Sequence, residues 1–164
     1  MKSWIKNFSE LAKTSNRKLA LEIAEAGLES INTEVVISHY IKLKDNILNI
    51  MEKSFDLSKF KKIKVVGFGK ASIDAAVALE KILGSKIKVG AVIGLQKVNL
   101  EHIEIFSGTH PRPSQINIDA GERIYGIIKD SNEEDLIIVL VSGGGSALLC
   151  YSESECEQNV TLYD

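Results

Sequence analysis

The chain is short of cysteine, proline and net charge, and it has no long hydrophobic run. Each shortage closes off a class of protein. There are two cysteines, Cys150 and Cys156. Their spacing fits neither a zinc knuckle nor a redox pair. They read as reduced structural thiols, which suits a cytoplasmic protein. No apolar stretch of signal-peptide length opens the chain, and no segment could span a bilayer. A formal net charge of −2 gives no electrostatic case for nucleic acid or an anionic membrane surface as a partner. The densest basic stretch, Lys59 to Lys64, is broken by Phe60 and Ile63 and reads as the solvated entrance to a strand. His39 and His102 sit at unrelated positions, so no metal site is expected. No linker rich in Pro, Gly or Ser divides the chain, and no internal repeat occurs. What remains is 164 residues, 45% hydrophobic and 26% charged, the size and balance of one globular domain with a real core.

Helical spacing predicts an amphipathic helix from Trp4 to Ala12 and a second whose apolar face carries Ala20, Ile23, Ala24, Gly27, Leu28 and Ile31. Asn32-Thr33 reads as a break and cap before a third helix through Val36, Ile37, Tyr40 and Ile41. The stretch Leu43 to Phe55 favours helix by its local pattern, with a strand at Ile47 to Met51 as the alternative. From Ile63 the rhythm changes. Strands are predicted at Ile63–Val66, Val89–Leu95, Ile103–Phe106 and Leu136–Val141. A helix through Ala75, Ala76, Leu79, Ile82 and Leu83 stops at Gly84. Another, capped by Ser114, carries Ala120, Ile124, Ile127 and Ile128 inward. Alternating strand and helix predicts an α/β fold with a mostly parallel sheet covered on both faces.

Ligands of such sheets bind beyond the carboxyl ends of the strands, and three loops leave strands there. Gly67-Phe68-Gly69-Lys70-Ala71-Ser72 is not a Walker A motif. It is also a poor dinucleotide fingerprint, because Ser72 replaces the third glycine and Gly94-Leu95-Gln96 offers no acid for a ribose. A lysine at a helix start adds to the positive end of the helix dipole, which is unfavourable unless an anion binds between them. The plainer reading is a solvated lysine on a glycine turn. Gly108-Thr109-His110-Pro111-Arg112-Pro113-Ser114 holds both of the chain's prolines and should be rigid and extended. His110 and Arg112 could face the cleft, or His110 could bond to backbone in a structural turn. Ser142-Gly143-Gly144-Gly145-Ser146 follows six consecutive apolar residues, Leu136 to Val141, which suit a strand buried on both faces. Three consecutive glycines carry an entropic penalty that something should require. Close approach of backbone amides to an anion is one reason, and tight packing of helix on sheet is the other.

In order, Gly67-Phe68-Gly69-Lys70-Ala71, Gly108-Thr109-His110-Pro111-Arg112-Pro113 and Ser142-Gly143-Gly144-Gly145-Ser146-Ala147-Leu148-Leu149 resemble the signature of ATP-dependent glycerate 2-kinases. These are the MOFRL-type enzymes with an N-terminal DUF4147 domain, and Asp56-Leu57-Ser58-Lys59-Phe60 and the leading helices resemble them too. The resemblance implies a Rossmann-like three-layer α/β/α sandwich. It implies phosphoryl transfer from ATP, carried as its Mg2+ complex, to the 2-hydroxyl of D-glycerate. Lys70 matches the family's lysine implicated in catalysis. Gly69, Ser142, Gly143, Gly144, Gly145, Ser146 and His110 are implied to bind phosphate or substrate, whereas the family often has an aliphatic residue at the position of Arg112. Family members run on to an essential aspartate and a C-terminal MOFRL domain. The chain is therefore expected to be an N-terminal fragment. Residues 1–55 would be a mainly helical lead-in, 56–150 the α/β core and 151–164 the start of an incomplete segment. Such a fragment would be inactive without a C-terminal half as partner. The alternatives are a non-catalytic phosphate- or nucleotide-binding remnant and, since the family has been labelled so, a hydroxypyruvate reductase. The imperfect fingerprint and missing ribose acid weigh against the last.

Overall fold

The computed structural model describes residues 3–151. The tail from 152, with Cys156 and the expected incomplete segment, lies outside the described residues. Three helices lead: α1 (Phe8–Leu11), α2 (Ser15–Ser30) and α3 (Thr33–Tyr40). The Thr14 side chain accepts from the Arg17 amide and the Asn32 side chain from the Glu34 amide, so both breaks read from the sequence are N-caps. The opening helix is shorter than its periodicity predicts. Glu25 and Glu29 on α2 explain this, because they accept from the Trp4 amide (3.2 Å) and the Trp4 indole (2.7 Å) and hold that segment off helix. The apolar face expected on α2 is not buried: no residue of α2 is, and Ile23 stays 66% exposed. No helix among the described residues is long and apolar enough to cross a membrane.

Between Ile41 and Asp56 the favoured helix gives way to a three-stranded antiparallel meander, β1 (Ile41–Lys44), β2 (Ile47–Ile50) and β3 (Lys53–Asp56). Asp45 and Met51 take left-handed backbone, φ 55° and 52°, at the two turns. The apolar spacing there fits both periods. Cross-strand pairing decides, since Leu43, Leu48 and Phe55 fall opposite one another and join the core over α4.

The remaining strands, β4 (Lys62–Phe68), β5 (Ile87–Gly94), β6 (Glu104–Ser107) and β7 (Asp135–Val141), form a parallel sheet in the order β6-β5-β4-β7. Helix α4 (Ser72–Leu83) joins β4 to β5, and α5 (Gln115–Lys129) joins β6 to β7. Ile73, Ala76, Leu79 and Leu83 on α4 pack with Val65 and Leu140 on one face of the sheet. Ala120, Ile124 and Ile127 on α5 pack with Val66 and Ala91 on the other. The sheet is thus covered on both faces over β4 and β5 as predicted, but β7, expected to be buried on both faces, buries only Leu140 and leaves Val139 and Val141 exposed. Chain order reverses between β4 and β7. That reversal is where doubly wound sheets open a crevice.

The amino end of the sheet carries a buried ion pair. Lys64 Nζ lies 2.9 Å from Asp135 Oδ2, with both side chains almost wholly buried. It also donates to the Asp130 carbonyl and the Ser131 hydroxyl. The solvated-entrance reading therefore holds for Lys59, Lys61 and Lys62 and fails for Lys64. The Lys64 ammonium beside Asp135 holds that carboxyl below the ordinary aspartate range, against the opposing effect of burial.

Candidate functional site

Three strand-to-loop exits meet at the carboxyl end of the sheet. Gly69 turns the chain out of β4 with φ +125°. A Cβ there would stand 2.3 Å from Ser142 Oγ, so only glycine lets the first and third loops touch. The two are then laced together. The Lys70 amide donates to the Gly143 carbonyl (2.9 Å) and the Ser142 amide to the Phe68 carbonyl (3.1 Å). The Ala71 amide donates to Ser142 Oγ at 3.0 Å. Ser72, read only as a broken fingerprint, is buried, its hydroxyl 2.7 Å from the carbonyls of both Gly69 and Ile93. It pins the start of α4 to the end of β5.

The triple glycine separates into three different requirements. Gly144 has φ +82°, and a methyl there would come within 3.0 Å of Lys70 Cε and 3.4 Å of His110 Nε2. Gly145 is needed for packing, since a methyl would lie 2.7 Å from the Phe68 ring. Gly143 has ordinary φ and nothing within 4 Å of where a methyl would stand. The amides of Gly143, Gly144, Gly145 and Ser146 find no acceptor among the described residues. The helix after them, α6 (Gly145–Leu148), is a single turn. Anion recognition here would rest on the loop amides themselves rather than on a helix dipole.

Gly144 lies beside both the Lys70 side chain and the His110 ring, so the three loops do converge. Lys70 is exposed and His110 half-buried. The second loop is not extended as expected. It folds back, with Thr109 Oγ1 donating to the Arg112 carbonyl at 2.6 Å and a cis peptide at His110–Pro111. Its organiser is Asn117, which the sequence reading passed over. This side chain is fully buried. Its Oδ1 accepts from the amides of Thr109 and Ser114, both at 3.0 Å. Its Nδ2 donates to the carbonyls of Thr109 (3.2 Å) and Leu148 (3.0 Å). One amide thus ties the second loop, the start of α5 and the end of the third loop together. The available signal was a capping box with Asn at its third helical position, three residues after Ser114.

Two hollows flank these loops at different distances. One of about 370 Å³ adjoins them, between β7, α3 and the start of α4, and includes Ser142. A larger one, about 700 Å³, lies between α1 and α2 on Trp4, Phe8 and Ala26, away from Lys70. Its walls are mainly apolar and it carries none of the loop chemistry.

Residues 19–162 match a family model described as a domain of unknown function, DUF4147. The glycerate 2-kinase of Picrophilus torridus is 31% identical over 147 residues, covering 88% of this chain and 33% of that protein. A putative hydroxypyruvate reductase of Agrobacterium vitis is 38% identical over 87 residues, covering 52% of this chain and 23% of that protein. The crystal structure of a glycerate kinase from Thermotoga maritima superposes with a TM-score of 0.69 at 25% identity. The match covers 90% of this chain and 34% of that one. The chain spans about a third or less of the length of these relatives.

Proposed function

Given that the chain belongs to the DUF4147 family, we propose that it supplies the Lys70 and glycine-loop part of an ATP-dependent glycerate 2-kinase. In this reading it acts together with the part of such an enzyme that lies outside the match. The observation that carries it is the meeting of Lys70, His110 and Gly144 beyond the carboxyl ends of β4 and β7, beside four loop amides that find no acceptor among the described residues. Phosphoryl transfer asks a protein for positioning and charge neutralisation more than for covalent chemistry. The Lys70 ammonium neutralises either the transferring phosphoryl group or the glycerate carboxylate. The amides of Gly143 to Ser146 receive the oxygens of the other anion. His110 closes the site against Gly144. MgATP and D-glycerate are the substrates.

The hydroxypyruvate reductase reading draws on the name of the Agrobacterium vitis relative. The β5 end does not favour it. That strand ends in Gly94-Leu95-Gln96, without the acid that a ribose takes in dinucleotide folds, and the nearby Asp74 lies instead on α4, accepting from Gln96 Nε2 at 3.0 Å. The test is a chimera in which this chain replaces the matched third of the Picrophilus torridus enzyme. Turnover of D-glycerate and MgATP, lost by about 100-fold or more in Lys70→Ala, supports the kinase. Oxidation of NADH by hydroxypyruvate, with no phosphorylation of glycerate, overturns it.

A further inference from the structure

The amino end of the parallel sheet, opposite Lys70, gathers positive charge that the proposed function leaves unused. A hollow of about 270 Å³ opens there, between the turn at Leu57–Lys59, the start of β4 and the turn at Gly84–Lys86. Lys61 and Lys62 line it from one side and Lys86 and Lys88 from the other, with Ser58 and Ser85 adding hydroxyls. None of its lining residues is acidic. The basic stretch before β4 therefore supplies only half of this cluster. The other half arrives from beyond α4.

Most of this charge is uncompensated. Lys61 is paired with Glu134. Lys86 donates only to the neutral amide oxygen of Asn46, at 2.7 Å. Among the described residues Lys62, Lys86 and Lys88 form no ion pair. Asp56, two residues before Ser58 in the chain, already accepts from the Ser58 amide and hydroxyl. Like charges lining one hollow repel, and a bound anion relieves that repulsion.

The backbone places Lys88 there by an irregularity. Ile87 packs in the core under α4, whereas Val89 packs in the core under α5. Residues two apart on a regular strand share a face, so the alternation breaks at Lys88. The break coincides with a shift of register, since Ile63 pairs with Ile87 but Lys64 with Val89. An extra residue in one strand of a parallel pair is uncommon, and such bulges re-aim a side chain. Lys88 is that extra residue.

We propose that this hollow binds a compact anion carrying two adjacent phosphate groups, at a site separate from the loops around Lys70. Several ammonium groups converging on one hollow favour a diphosphate over a single carboxylate, because attraction grows with the product of the charges. A long polyanion fits less well. The lysines line a closed hollow rather than a groove, and the chain's net charge of −2 repels a polymer. An adjoining hollow of about 280 Å³ shares Lys62 and Lys88 but also holds Asp130, and its Arg123 is paired with Glu104. The first hollow is thus the anion's place. Free pyrophosphate and the tail of a nucleoside diphosphate offer the same chemistry, and the test separates them.

The 164-residue chain, isotopically labelled, is titrated with inorganic pyrophosphate and, in a second arm, with ADP, while amide shifts are followed by nuclear magnetic resonance. The expected result is saturable shifts at Ser58, Lys62, Ser85 and Lys88 that weaken as salt is added. Lys62→Gln combined with Lys88→Gln should weaken binding roughly tenfold. Lys13→Gln combined with Lys53→Gln removes the same charge elsewhere and should leave it unchanged. Shifts with pyrophosphate alone assign the site to the free ion, and equal shifts with both ligands assign it to the diphosphate of a nucleotide. Shifts confined to the 143–146 loop, shifts with ADP alone, shifts that never saturate, or equal loss in the two double variants would each overturn the proposal. Neither Lys62 nor Lys88 belongs to the kinase site proposed above, so failure of one proposal leaves the other standing.

Discussion

Replacing each glycine of the Gly143-Gly144-Gly145 run by alanine separates folding from ligand binding at a single loop. At Gly145 the new methyl would sit 2.7 and 3.1 Å from two carbons of the Phe68 ring. Overpacking of that kind costs about 1–3 kcal/mol, or about 2–12 °C of melting temperature for a chain of this length. At Gly144 the φ of +82° costs a side-chain-bearing residue about 1–2 kcal/mol, and the methyl must also displace the Lys70 side chain. At Gly143 the backbone is not left-handed and the space is open. Alanine there should be neutral, or stabilising by up to about 1 kcal/mol through the unfolded chain. The three variants should therefore unfold in the order Gly145→Ala below wild type, Gly144→Ala below wild type, Gly143→Ala at or above it. The Gly143→Ala chimera should nevertheless bind MgATP or glycerate more weakly, because its methyl stands where an anion would approach the loop amides. Thermal denaturation and isothermal calorimetry read the two effects independently. If Gly143→Ala melts as low as Gly145→Ala, the run exists for packing and the anion argument fails. If it keeps both its stability and its ligand affinity, no anion approaches there and the argument fails again.

Other perturbations have equally definite outcomes. Asn117→Ala removes, among others, its side-chain bonds to the Thr109 and Ser114 amides and to the Thr109 and Leu148 carbonyls, at about 0.5–1.5 kcal/mol each, so urea denaturation should register a loss of at least about 2–6 kcal/mol. Amide exchange should rise at Thr109 and Ser114 together, and a rise at only one would refute the single-organiser view. Asp135 has a folded pKa below its unfolded one, so its contribution to stability is present above the unfolded value and is lost as pH falls through the folded value. Stability should decline from about pH 5 downward. Asp135→Asn, which strands the buried Lys64 ammonium, should be less stable at neutral pH and show a flatter acid limb. An unchanged limb would assign acid sensitivity elsewhere.

Much of this fold was legible because the signals were local and strong. Six apolar residues from Leu136 to Val141 could only be a strand, though Val139 and Val141 stay exposed rather than buried as expected, and Ala75, Ala76, Leu79 and Leu83 could only share a helical face. Ser114 and Gly84 marked their helix ends through side-chain and backbone chemistry that acts within one turn. The glycine turns and Lys70 were legible as loop signals for the same reason, and the structure adds that they meet. Where two periods fitted equally, as from Leu43 to Phe55, pairing between strands distant by several residues decided, and no local pattern encodes that pairing. Lys64 was misread because a lysine is expected in water unless its partner is known, and Asp135 arrives from 71 residues away. Helix α2 was legible from its period, and only the structure shows that its apolar face is left unburied among the described residues.

The sequence by itself determined the class of fold, the three strand exits proposed here to carry the chemistry and the family to which they belong. Each depends on residues adjacent in the chain, whose backbone preferences act without help from elsewhere. Only the tertiary structure decided that the exits meet, that Gly69 is small because Ser142 lies against it, and that Asn117 holds two loops with one amide. It alone decided that, among the described residues, β7 lies at the margin of the sheet. Those facts belong to strand order, and strand order is set by which apolar faces can be buried together rather than by any residue's own preference.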